Sequence, residues 1–166
     1  VTLSGHRSFY FNSIALNTKN EKYFSFGFVR NPFDRLYSVY MFLKEGGMNH
    51  YDKLAFRTHM SRFKGFEDFV LNGLDKKMLF QITHLTPQHE YLCDKKGNIL
   101  VDFIGRFENL EADVKLLSNK LKKDVQLSHY NYNKKKDYIE VYTDVMIERV
   151  CQLYQKDIEI FDYSFK

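Results

Sequence analysis

The run Phe28-Val29-Arg30-Asn31-Pro32-Phe33-Asp34-Arg35-Leu36-Tyr37-Ser38-Val39-Tyr40 constrains this chain more than any other stretch. It follows Tyr23-Phe24-Ser25-Phe26-Gly27-Phe28-Val29, whose aromatic and β-branched residues read as a buried strand over 23–30. Asn31 is a good helix N-cap, and Pro32 suits the first helical position, where no backbone N–H is needed. Phe33, Leu36, Tyr37 and Tyr40 recur at helical spacing and predict the core face of a helix over 32–45, stopped by Gly46-Gly47. Asn31, Asp34, Arg35 and Ser38 form a second, polar stripe. A strand that ends in arginine and turns at once into a helix start favours anions. The guanidinium is a forked donor, and the helix N-terminus adds N–H groups and positive dipole. The alternative is an ordinary α/β turn in which Arg35 pairs with Asp34 or another surface acid.

Further along, 7–17 reads as a short helix, 48–64 as a polar, irregular insertion, and Phe66, Phe69, Val70 and Leu74 as a short helix. Tyr91-Leu92-Cys93, the turn Asp94 to Gly97 and Ile99 to Ile104 predict a hairpin whose second arm is a core strand. Helices are expected over 108–122 and 143–155, with a polar loop carrying Lys134-Lys135-Lys136 between them. Strands alternating with helices predict an α/β domain with a central parallel sheet flanked by helices, one domain over 1–166.

At 166 residues the chain is long enough to bury a core. Its formal charge of +4 fits a polyanionic small ligand but is too small to argue for nucleic acid, and no basic–aromatic repeat is present. Cys93 and Cys151 lack metal-ligand spacing and read as free thiols, with one disulfide as the alternative. His84, His89 and Glu90 match no established metal site, so no metal is expected. No apolar run is long enough to span a bilayer.

Arg-Asn-Pro-x-Asp-Arg-x-x-Ser-x-Tyr over 30–40 resembles the 3′-phosphate-binding motif of sulfotransferases that use 3′-phosphoadenosine-5′-phosphosulfate (PAPS). It is most similar to the carbohydrate sulfotransferases of the Golgi and their bacterial relatives, including the heparan sulfate 2-O- and chondroitin-type enzymes. Thr86 to Asp94, Val101 to Leu110 and the ending from Tyr142 to Phe165 resemble further parts of that family in the same order. The resemblance implies a P-loop-like nucleotide-binding architecture and transfer of a sulfuryl group from PAPS to a carbohydrate hydroxyl. It also implies that Arg30 and Ser38 grip the 3′-phosphate. The family's glycine- or serine-rich 5′-phosphosulfate loop, with its lysine, has no match here. The expectation is therefore a chain that begins downstream of that loop and lacks the leaving-group lysine. The compartment expected is the cytoplasm for a bacterial protein, or the Golgi lumen if an anchor precedes Val1.

Other candidates follow from chemistry and resemblance together. His6, in Gly5-His6-Arg7-Ser8, resembles the segment carrying the family's catalytic histidine and is the candidate base; the alternative is a helix cap. His84, Gln88 and His89 are candidates for the acceptor cleft, or are hydrogen-bonded loop residues. Arg106, at a strand end, is a candidate nucleotide ligand, or pairs with Glu108 or Glu111. Lys134 is a candidate phosphate contact, or one of a solvated cluster. A non-catalytic nucleotide- or glycan-binding module of the same fold is the alternative function.

Overall fold

The computed structural model describes residues 23–125 and 137–166. The strands and the helices of six residues or more are β1 (Phe26–Val29), α1 (Pro32–Lys44), α2 (His50–Ala55), α3 (Lys76–Gln81), β2 (Phe103–Arg106), α4 (Leu110–Leu121), α5 (Asp144–Leu153) and α6 (Gln155–Ile160). These residues fall into two compact units, 23–30 with 88–125 and 31–87 with 137–166. The expected helix over 7–17, like His6 and the Lys134–Lys136 run, lies outside the described residues.

The strand unit is built on one parallel pair, with Phe26, Gly27, Phe28 and Val29 opposite Phe103, Ile104, Gly105 and Arg106. The pair is tied at its amino end. Ser25 donates its backbone N–H (2.8 Å) and its hydroxyl (2.7 Å) to Asp102 Oδ2. These bonds hold the Asp102 carboxyl below the usual carboxylate range. Glycine at 105 is a packing requirement, because a methyl there would run into the Phe28 ring. Of β1 only Val29 is buried, while Phe26 is 47% exposed, so the expectation of a fully buried strand is corrected. Among the described residues β1 has only β2 as a ladder partner, which leaves its other residues half covered. The sheet is thus small and parallel. Helix α4 packs on β2 and buries Val114 and Leu117.

The expected hairpin over 91–104 is also corrected. The turn is present: Asp94 accepts the N–H groups of Lys96 and Asn98, and Gly97 takes φ 89°. The arms, however, meet at a single antiparallel bridge, Cys93 to Ile99. Tyr91 and Leu92 belong to a helical turn, His89–Leu92, and the later residues pair with β1 instead.

The helical unit starts at α1, and here sequence and structure agree closely. The Asn31 side chain accepts the Phe33 N–H at 3.0 Å, and Pro32 opens the helix. Gly46 and Gly47, at φ 100° and 60°, return their N–H groups to Leu43 and Phe42 and end it. Phe33, Leu36, Tyr40 and Leu43 are buried in a core completed by Met60, Phe69, Val70, Leu79, Leu85, Met146, Val150 and Tyr154. Each such side chain contributes roughly 1.5–3 kcal/mol on burial. Asn31 also donates to the Ser164 carbonyl (2.9 Å), and Phe165 packs edge-on against Phe33, which fixes the chain's last residues to the start of α1.

Within the segment 48–64, residues 50–60 are helical, where an irregular insertion was expected. Asn49 caps α2 by accepting from Tyr51 and Asp52, and a π-helical turn, Phe56–Met60, continues it and buries Met60. Short length and many charges hid the pattern. In α5 the buried residue of the first turn is Met146, whereas Val145 is 62% exposed.

Candidate functional site

The parallel register sets the site. Arg106 ends β2 opposite Val29, so Arg30, the next residue, and Arg106 occupy the same carboxyl edge of the strand pair. Ligands of open α/β sheets favour that edge. Helix α4 supports it: Asp113, in its first turn, accepts the Arg106 backbone N–H at 2.5 Å. That bond involves the arginine's main chain and a different acid from the Glu108 or Glu111 considered above.

Arg30 is held at both ends. Its N–H donates to Gln88 Oε1 at 2.8 Å, and its carbonyl accepts from Gln88 Nε2 at 2.8 Å. Its guanidinium carbon lies 4.1 Å from the centre of the Phe107 ring, a cation–π stack. Gln88, a candidate for the acceptor cleft, is buried and makes this contact with the Arg30 backbone. His89, next in sequence, has Nε2 3.4 Å from Glu90 Oε1.

The other candidates belong to the helical unit. Ser38 lies partly buried on α1. His84 Nε2 is 3.0 Å from Asp52 Oδ1, and the Phe42 ring meets the imidazole edge-on. Burial raises the Asp52 carboxyl, but the Met48 N–H, His84 and the Asn49 contact outweigh it and leave the group below its ordinary range. Arg35 donates from one guanidinium nitrogen to the carbonyls of His84 (2.9 Å) and Thr86 (2.7 Å). It bridges to a neighbouring segment and, among the described residues, not to Asp34 or another acid. Thr86 in turn donates to the Leu79 carbonyl (3.0 Å), and the buried Tyr154 hydroxyl donates to that of Leu85 (2.8 Å).

The structure therefore brings Arg30, Gln88 and Arg106 together at one strand edge, while Ser38 and His84 sit in the helical unit. His6 and Lys134 lie outside the described residues. Sequence reasoning missed Phe107 and Asp52. An aromatic directly after a strand-end arginine was the available signal for the first, and the Asn49-x-x-Asp52 cap pattern for the second. Among the described residues no His, Cys, Asp or Glu side chains gather in a way that would hold a metal ion, and no helix is long and apolar enough to cross a membrane.

Two arginines, Arg30 and Arg106, at one edge of a small parallel strand pair are an arrangement that suits an anion. Residues 5–164 match the model of the sulfotransferase family, and the chain belongs to that family. No curated protein and no solved structure matches it.

Proposed function

We propose that this protein transfers a sulfuryl group from PAPS to a hydroxyl of a carbohydrate acceptor, on a P-loop-like nucleotide-binding architecture. The family match across nearly the whole chain carries the reaction class. The donor rests on the motif at 30–40, which assigns Arg30 and Ser38 to the 3′-phosphate. Arg106, at the same strand edge as Arg30, and Lys134 add cations for the rest of the nucleotide. On the acceptor side stand His84 and His89, with His6 as base.

In the reaction the acceptor oxygen attacks sulfur, and the bond from sulfur to the bridging phosphate oxygen breaks. The hydroxyl proton passes to the His6 imidazole, and negative charge develops on the departing adenosine 3′,5′-bisphosphate. An unperturbed imidazole, with pKa ~6.5, suits that proton transfer. Cations near the leaving phosphate lower the barrier by stabilising the developing charge.

The test is incubation of the full-length protein with PAPS labelled in the sulfuryl group and a panel of polysaccharides. Label is expected to move to a polysaccharide only when protein and a hydroxyl acceptor are both present. Nucleotide binding with no transfer to any acceptor contradicts the catalytic reading.

A further inference from the structure

We propose that Gln88 and Phe107 are positioning residues for Arg30: they mount this arginine from both ends and thereby set the protein's affinity for a nucleotide 3′-phosphate. The proposal rests on the assignment of Arg30 to that phosphate.

The mount begins in the backbone. Arg30 follows the last paired residue of β1, where the ladder stops supplying partners. One buried side chain takes over for both polar groups. The Gln88 carboxamide accepts the Arg30 N–H and donates to the Arg30 carbonyl, each at 2.8 Å, across 58 residues of sequence. The N–H belongs to the peptide plane before the Arg30 Cα and the carbonyl to the plane after it. Holding both planes fixes the direction in which the side chain leaves. Only a carboxamide offers an acceptor and a donor side by side in this way; a carboxylate keeps the first and loses the second.

The far end of the side chain is fixed by Phe107. Its ring lies against the guanidinium at 4.1 Å, although the residue is 47% exposed. Core packing does not account for a large aromatic left half in solvent, whereas the stack on Arg30 does. A ring contact uses the flat face of a guanidinium and sets its plane, and the N–H donors that recognise phosphate lie in that plane. Arginine carries substantial rotamer entropy, so an arginine oriented before the ligand arrives loses less freedom on binding.

The test is calorimetric titration of the full chain with adenosine 3′,5′-bisphosphate and with adenosine 5′-monophosphate, alongside thermal melting. Gln88→Ala should weaken the bisphosphate about tenfold, the lower end of what removing an orienting partner costs in metal sites, and leave the monophosphate unchanged. Gln88→Glu should fail to restore affinity, because it lacks the donor. Phe107→Leu should cost roughly threefold with the same selectivity, and Phe107→Tyr should retain wild-type binding. A folded Gln88→Ala protein with wild-type discrimination overturns the proposal, as does an equal loss for both nucleotides. Should Gln88→Ala not fold, Phe107→Leu at its exposed position decides, and an unchanged ratio overturns the mount. The underlying assignment fails separately. If wild type binds both nucleotides alike, Arg30 does not read the 3′-phosphate and the mount falls with it. If Arg30→Ala abolishes discrimination while the Gln88 and Phe107 variants keep it, the mount alone falls.

Discussion

In the strand unit, Arg30 is held by others: a carboxamide grips its main chain and an aromatic ring lies on its guanidinium. In the helical unit, Arg35 does the holding. Its guanidinium donates to the carbonyls of His84 and Thr86 and ties their segment to α1. The two arginines belong to one short motif and differ in what their planar nitrogens serve. Donors aimed at the protein's own carbonyls make a scaffold, whereas a guanidinium fixed by its face and its main chain is suited to a ligand.

The largest effect should come from the residue assigned to chemistry rather than to either kind of holding. His6→Ala in the full-length enzyme is expected to lower kcat by ~10²–10⁴ with nucleotide affinity nearly unchanged, because a base acts on the acceptor. The acid limb of the pH–rate profile, near the histidine range, should vanish with it. Near-normal turnover in this variant would move the role to His84 or His89.

Arg35→Met sharpens the comparison directly. It removes charge-assisted hydrogen bonds to two carbonyls and should lower unfolding stability by about 3 kcal/mol in denaturant titrations. The ratio of affinities for nucleotides with and without the 3′-phosphate should stay at the wild-type value. A selective loss for the 3′-phosphorylated nucleotide would put Arg35 in the binding site and dissolve the contrast with Arg30. Tyr154→Phe probes the same scaffold from the other side. It strips the buried Leu85 carbonyl of its donor, with an expected cost of about 1–2 kcal/mol.

The Asp52–His84 contact gives a pH signature of the helical unit. The folded Asp52 carboxyl is depressed below its unfolded value, so its contribution is fully present above the unfolded pKa of ~3.9 and lost as pH falls through the folded one. Wild type should therefore lose stability faster than Asp52→Asn below about pH 4. Parallel curves down to acid would show that the carboxylate does not hold this segment. The smallest effect is expected at Asp34, in the first turn of α1, where its charge suits the helix dipole. Asp34→Asn should change nucleotide affinity by less than about threefold, equivalent to roughly 0.65 kcal/mol. A larger loss in a folded protein would make this residue a ligand contact.

What could be read from the sequence was local. Helix α1 was legible at both ends because Asn31, Pro32, Gly46 and Gly47 act on their immediate neighbours. Helices α4 and α5 were legible from apolar spacing, and Met146 is the buried residue in the first turn of α5. Helix α2 was not, since a six-residue helix with four charged or polar residues shows no periodicity and only the Asn49 cap betrays it. Long-range pairing was out of reach for a different reason. The Asp94–Gly97 turn is real, but a turn does not say whether the chain beyond it returns to its neighbour or pairs with a strand far upstream, as β2 does. The site inherits that limit. Arg30, Ser38 and Arg106 stand out by residue type and motif, whereas the Gln88 clamp and the Phe107 stack exist only once distant segments meet.

The central claim is that Arg30, at the carboxyl edge of the strand pair, reads a nucleotide 3′-phosphate. Titrating wild type and Arg30→Ala with adenosine 3′,5′-bisphosphate and adenosine 5′-monophosphate tests it most directly. The account predicts that wild type prefers the bisphosphate and that Arg30→Ala loses about one to two decades of affinity for it, with the monophosphate unaffected. Equal binding of the two nucleotides by wild type, or an equal loss for both in Arg30→Ala, would contradict it.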